Sequence, residues 1–234
     1  MNTARLSAML VKEYHDIKSN FTILSVLFVP LFLAVIFSRL DGEQDFALSF
    51  IFLEAVAFVT MYAQAVLIGE EKEKNTLQVL LLSPATAAEI MIGKSIISVI
   101  LTVITFVVPI LIIDVRMESP LLFCIILLLA VIFFAAMGTL VGLLSENLVQ
   151  TSMYILPLSF LFGFSPMIEM YFSDSVIADI LGYSPGNYIM EACMGAINGE
   201  AFSSYRGDIL WLGGWTIAAL AVTLLTFKKK KLSK

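Results

Sequence analysis

The chain has 234 residues, of which 59% are apolar and 14% charged, against roughly 25% charged in soluble domains. So few charges cannot cover the water-facing surface of a protein this long, which excludes a soluble globular fold and points to lipid as the main solvent. The net charge of -5 argues against a nucleic-acid face, two cysteines against a disulfide framework, and one histidine against a histidine-rich metal site.

In residues 1–20, Leu6, Met9, Leu10, Tyr14 and Ile17 follow steps of three and four that continue to Phe21, with Arg5, Lys12, Glu13, Asp16 and Lys18 on the remaining faces. That spacing predicts an amphipathic helix, lying either in the headgroup region of a membrane or against protein. A bilayer core of about 30 Å takes roughly 20 apolar residues at 1.5 Å each. Windows of that kind fall at 21–38, 46–68, 95–113, 121–144, 149–168 and 209–227. The expectation is an all-α integral membrane protein with six transmembrane helices and a single transmembrane domain over 1–234. The first window lacks a small-residue cleavage site after it and reads as a retained span.

An even number of spans puts both termini on one side. That side carries 11 Lys and Arg residues and the other only Arg39, Arg116 and Arg206, so both termini are expected in the cytoplasm of a cell membrane. The outer segments carry 11 carboxylates, which either gather cations or are solvated loop charges.

The inner connection 69–94 holds the densest charge, Glu70-Glu71-Lys72-Glu73-Lys74. After it come Leu77 to Leu82, too short to cross a membrane, a break at Ser83-Pro84, and Thr86-Ala87-Ala88-Glu89, the reciprocal capping pattern of a helix start. The expectation is a short rigid helix projecting from the bundle, suited to a groove on a soluble partner; a solvated charged loop is the alternative. The other inner connection, Ser145 to Leu148, is a tight turn. The outer segment 169–208 reads as two short re-entrant helices split at Ser184-Pro185-Gly186.

Gly93-Lys94-Ser95 resembles the end of a phosphate-binding loop, but its first glycine would fall at Ala88 and no strand precedes it, so no nucleotide site is expected. His15 lies before the first span, and Glu70-Glu71 has no later histidine to complete a metal site, so no catalytic residue, metal or cofactor is assigned to this chain. Glu54 is the one formal charge inside a span: it is a candidate for the substrate path, or it reaches the outer interface or pairs with Arg39. Gln64 is either its polar neighbour or a helix-helix hydrogen bond. Gly138 and Gly142 form a G-x-x-x-G pair expected to pack within the chain. Pro30, Pro109 and Pro157 are candidate bends, and Cys124 and Cys193 show no sign of pairing.

Residues Glu70 to Pro84 resemble the segment E-[KR]-E-x-G-T-L-E-x-L-L-x-x-P of the membrane subunits of type-two ABC exporters. Asn75 stands for the usual glycine and Gln78 for the usual glutamate. Tyr183 to Ala192, with Pro185, Tyr188 and Glu191, is similar to that family's outer segment N-P-L-T-Y-x-x-[DE]-A. The resemblance implies a permease paired with a second copy or a close homologue, with ATP and Mg handled by a separate cytoplasmic ATPase. It implies coupling to that ATPase through Glu70, Glu71, Lys72, Glu73, Asn75, Thr76 and Leu77, with Ser145, Glu146 and Asn147 as a minor second contact. The small outer loops favour a small hydrophobic or amphipathic cargo, such as a peptide or antimicrobial. The competing reading is a stand-alone immunity factor or ion-conducting oligomer.

Overall fold

The computed structural model describes residues 11–13, 17–18, 20–39, 44–74, 76, 87–113, 115–172 and 174–232, of which 87–91 and 230–232 by backbone alone. Every regular element among them is helical. After helical residues at 11–13 and 17–18 come α1 (Phe21–Val26), α2 (Phe28–Phe37), α3 (Gln44–Glu54), a π-helical turn (Ala55–Thr60), α4 (Met61–Glu73), α5 (Ala87–Ile112), α6 (Pro120–Leu144), α7 (Leu148–Gly163), α8 (Ser165–Tyr171), α9 (Val176–Leu181), α10 (Pro185–Asn198) and α11 (Phe202–Leu232). Four helices are long and apolar enough to cross a membrane, and α7 with α8 makes a fifth, broken one. The window 21–38 forms a shorter apolar run, Phe21–Phe37. It breaks at Leu27, where Pro30 has no amide to offer the carbonyl four residues before it.

The centre of the bundle is the continuous 30-residue helix Gln44–Glu73, in which residues 47–69 are all buried. The helix continues beyond the apolar window 46–68, through Gly69, and ends after Glu73, so Glu70 to Glu73 are its last turn. Gly69 lets α7 lie close against this stretch: a Cβ there would sit 2.5 Å from Thr151 Oγ1.

Helix α6 approaches α4 just as closely. A Cβ on Gly138 would lie 2.3 Å from the Met61 carbonyl oxygen, and one on Gly142 would lie 2.8 Å from that of Ala65. The G-x-x-x-G pair therefore packs inside the chain, where small residues let backbones meet. A polar tie reinforces the contact, Gln64 Nε2 donating to Thr139 Oγ1 at 2.9 Å, and two more bind α5: Ser98 Oγ donates to Gln64 Oε1 at 3.1 Å, and the Thr60 and Thr102 hydroxyls lie 2.6 Å apart. Gln64 is thus a helix-helix bond, and its partners are Thr139 and Ser98 rather than Glu54.

The fifth expected span bends by 52° between α7 and α8. The break falls at Phe164, whereas α7 runs through Pro157 and α5 through Pro109. The two short helices of the outer segment are present as α9 and α10, divided at 182–184. Gly199, at φ 68°, ends α10 in the left-handed backbone that glycine adopts freely. The amides of Glu118 and Ser119 donate to the Ile197 and Ala196 carbonyls at 3.1 and 3.0 Å, pinning the α5–α6 connection to the end of α10. Helix α11 starts at Phe202, seven residues before the expected 209.

Candidate functional site

The last turn of α4 gathers the charges of one end of the bundle. Glu71, 3% exposed, accepts from Lys12 Nζ and Thr76 Oγ1 and, at 3.2 Å, from Lys94 Nζ. Lys94, 2% exposed, also donates to Glu13 Oε1 at 2.5 Å. Glu13 is 3% exposed, and its second carboxyl oxygen finds no partner among the described residues. Three stretches of chain meet here: the amphipathic N-terminal segment, the end of α4 and the start of α5. Charges this deeply buried persist only when paired, and removing one partner leaves the other stranded. A second tie runs beside the first. Asn20, which caps α1 by accepting from the Ile23 amide at 3.0 Å, donates to Glu70 Oε1, and Lys74 pairs with Glu70 at 3.4 Å.

On the opposite side, this turn grips the α6–α7 connection. Lys72 Nζ donates to the Leu143 carbonyl at 3.0 Å, and the Leu148 amide donates to Glu73 Oε2 at 2.9 Å. Leu148 is the first residue of α7, so Glu73 satisfies one of the free amides of a helix start, the end where the macrodipole favours a carboxylate. Asn147 caps the same helix by accepting from the Gln150 amide at 2.9 Å. Ser145 is buried and donates to the Val141 carbonyl at 2.8 Å, and the exposed Glu146 donates its amide to Gln150 Oε1 at 2.6 Å.

The structure therefore brings Glu70, Glu71, Lys72, Glu73 and Thr76 together with Ser145, Glu146 and Asn147. Asn75, Leu77, the Ser83-Pro84 break and Thr86 lie outside the described residues. The Glu71 carboxylate turns inward, where Lys12 and Lys94 neutralise it. Lys12, Glu13, Asn20 and Lys94 were missed as site residues. The signal was available, since opposite charges at the end of three apolar segments need partners when that end packs.

The two substrate-path candidates are both 0% exposed. A cleft of about 330 Å³ opens between α5, α6 and α11, lined by Ile96, Val99, Val131, Ala135, Thr139 and Leu220 among others. Its lining is almost wholly apolar and includes neither Glu54 nor Gln64. At the other end of the bundle, Pro185 is the first residue of α10 and Tyr188 stacks on Trp211 with centroids 6.0 Å apart. Burial raises the Glu191 carboxyl above the ordinary carboxylate range, and Asp208, Glu169 and Glu200 push it the same way. A pocket of about 400 Å³ beside α9 is lined by Glu169, Asp179, Gly182 and Tyr183. No group of three His, Cys, Asp or Glu able to hold a metal occurs among the described residues.

Long apolar helices around an enclosed centre, with charge gathered at the ends, define a multi-pass helical membrane protein. The chain belongs to the ABC-2 family of transporter proteins, whose family model matches residues 6–225. Members of that family are permease components of ABC transporters. No curated protein matches the chain.

Proposed function

We propose that the chain is the permease subunit of an ATP-driven exporter in the cell membrane, with the Glu71 cluster and both termini in the cytoplasm. ATP is hydrolysed by a separate ABC ATPase, which closes on the end of α4 and the segment that follows it. A second copy or a close homologue completes the transporter, and the cargo is a small hydrophobic or amphipathic molecule such as a peptide. The observation that carries this reading is the attachment of the α4 end: one turn of helix is bonded to the N-terminal segment, α5, α6 and α7. A push delivered there is a push on most of the bundle. A ligand or partner shifts a conformational equilibrium only through a contact that differs between its states, and this turn is where such a contact has the widest reach.

The test is purification of the tagged chain from its native membrane. An ATP-hydrolysing subunit is expected to co-purify, and substitution of Glu73, which binds the α7 start, is expected to lower its ATP turnover in the complex. If extracts hold no such subunit, a stand-alone immunity factor or ion-conducting oligomer becomes the better reading.

A further inference from the structure

Glu54 has no role in the coupling scheme, and its surroundings ask for one. Both carboxyl oxygens are buried and neither has a hydrogen-bond partner among the described residues. Phe50 and Phe58, four residues to either side of it in the chain, join the aromatic box that ties this stretch to α7. Phe50 meets Phe164 at 5.6 Å between centroids, and Phe58 meets Phe160 at 4.9 Å and Phe164 at 6.4 Å. The wall of the box is Gly163, where a Cβ would stand 2.9 Å from both Glu54 oxygens.

Among the described residues no counter-charge is bonded to Glu54. Of the helices packed against α3 and the π turn, α1 and α2 hold no titratable group. Those of α4 are Tyr62, bonded to Ser152 at 3.3 Å, and the charged turn at its far end. On α5 they are Glu89 and Lys94, and Lys94 is committed to Glu13 and Glu71. Cys124 on α6 is exposed, and Tyr154 on α7 accepts from Gln150. On α10 they are Tyr188, Glu191 and Cys193, and on α3 itself Asp45, bonded to Asn198 at 2.8 Å. An ionised carboxylate buried in so apolar a setting is costly, and such a group takes up a proton instead.

We propose that Glu54 is a proton-binding site of the transport cycle: a carboxylic acid while the Phe50, Phe58, Phe160, Phe164 and Gly163 box is closed, and a carboxylate when the box opens to water. The box stands on two irregularities. The π turn begins at the next residue, Ala55, and the break between α7 and α8 falls at Phe164, itself part of the wall. Single π turns and broken helices are where a bundle can change register or angle without unfolding. The inference rests on the chain being a transporter and not on its direction, cargo or ATPase.

The experiment uses the full chain in phospholipid vesicles, with no partner needed. Infrared spectra of wild type and E54Q at neutral pH are expected to differ by one carbonyl band of an un-ionised carboxyl, present only in wild type. The lipid-soluble carbodiimide dicyclohexylcarbodiimide, which adds to protonated carboxyls, is expected to label Glu54 in the wild-type chain, mapped by mass spectrometry. Raising the pH until the site ionises should diminish both signals by about tenfold or more. Absence of both signals from wild type overturns the proposal, and so does a label and band that do not respond to pH, since the proton would then be static. The labelling arm needs no variant, so poor folding of E54Q does not blunt the test. Failure of an ATPase to co-purify would strike the exporter reading alone.

Discussion

The carboxylate of Glu73 accepts a hydrogen bond from the Leu148 amide at 2.9 Å, joining the last turn of one membrane helix to the first residue of another 75 positions away. The bond sits at the surface and its strength is modest, so its value lies in geometry. E73A removes a helix-start acceptor, which costs about 0.5–2 kcal/mol. Thermal unfolding in detergent should register a small loss, while ATP turnover of the assembled transporter falls several-fold. Equal fractional losses in the two measurements would mean the bond is structural only.

Glu71 behaves differently because it is buried. E71Q strands the Lys94 ammonium with a reduced share of negative charge, and breaking such a cluster costs about 3–5 kcal/mol. The expected result is a sharply lowered melting temperature or loss of the extracted monomer. The double variant E71Q/K94M, which removes both charges, should recover part of that loss. Additive damage in the double variant would show that the two side chains do not interact.

The close approach of α6 to α4 gives a matched pair of glycine substitutions. G138A drives a methyl group toward the Met61 carbonyl, where overpacking costs about 1–3 kcal/mol. At Gly213, on α11, a Cβ would meet nothing within 4 Å. G213A should therefore change stability by less than about 0.5 kcal/mol. Unfolding midpoints of the two variants, read against wild type, check the ranking.

The Glu191 carboxyl binds its proton more tightly in the folded chain than an unfolded carboxylate does, because of burial and then Asp208, Glu169 and Glu200. A group raised in this way supports the fold at low pH and loses that support as pH climbs through its folded value. E191Q should therefore leave the melting temperature unchanged at acid pH and raise it slightly above the ordinary carboxylate range. A variant whose pH profile runs parallel to wild type would deny Glu191 this role.

Much of the fold was legible because lipid imposes a simple rule: runs of apolar residues near 20 long must be helices. Leu121 to Leu144 shows how far this goes, since the helix found is Pro120–Leu144. Helix ends were harder to place wherever charge and helix propensity disagreed. Glu70 to Glu73 look like the start of a loop by polarity, yet they are good helix formers and their charges find partners, so α4 continues. The break at Phe164 is marked by Gly163 before it and Pro166 after it, in the first turn of α8, whereas Pro157 does not interrupt its helix.

The candidate site was half readable. The acidic and basic run pointed to the right turn, and Ser145 to Leu148 to the right neighbour. Lys12, Glu13 and Lys94 escaped notice because their pairing joins positions 23 to 81 residues apart, distances over which sequence pattern carries no register. Glu54 stood out as a lone charge in a span, but nothing in the sequence says that Gly163 would lie against it.

The helix from Gln44 to Glu73 touches no lipid along its middle. Membrane thickness and fatty-acid composition therefore have no direct purchase on it and act only through the outer ring, where α2, α5 and α11 expose large apolar side chains. The chain is in this sense an axle in a sleeve. Its two ends of interest, Glu71 and Glu54, are 17 residues apart, about 25 Å along the axis, and a shift at one arrives at the other insulated from the bilayer, with only the π turn between them able to absorb slack.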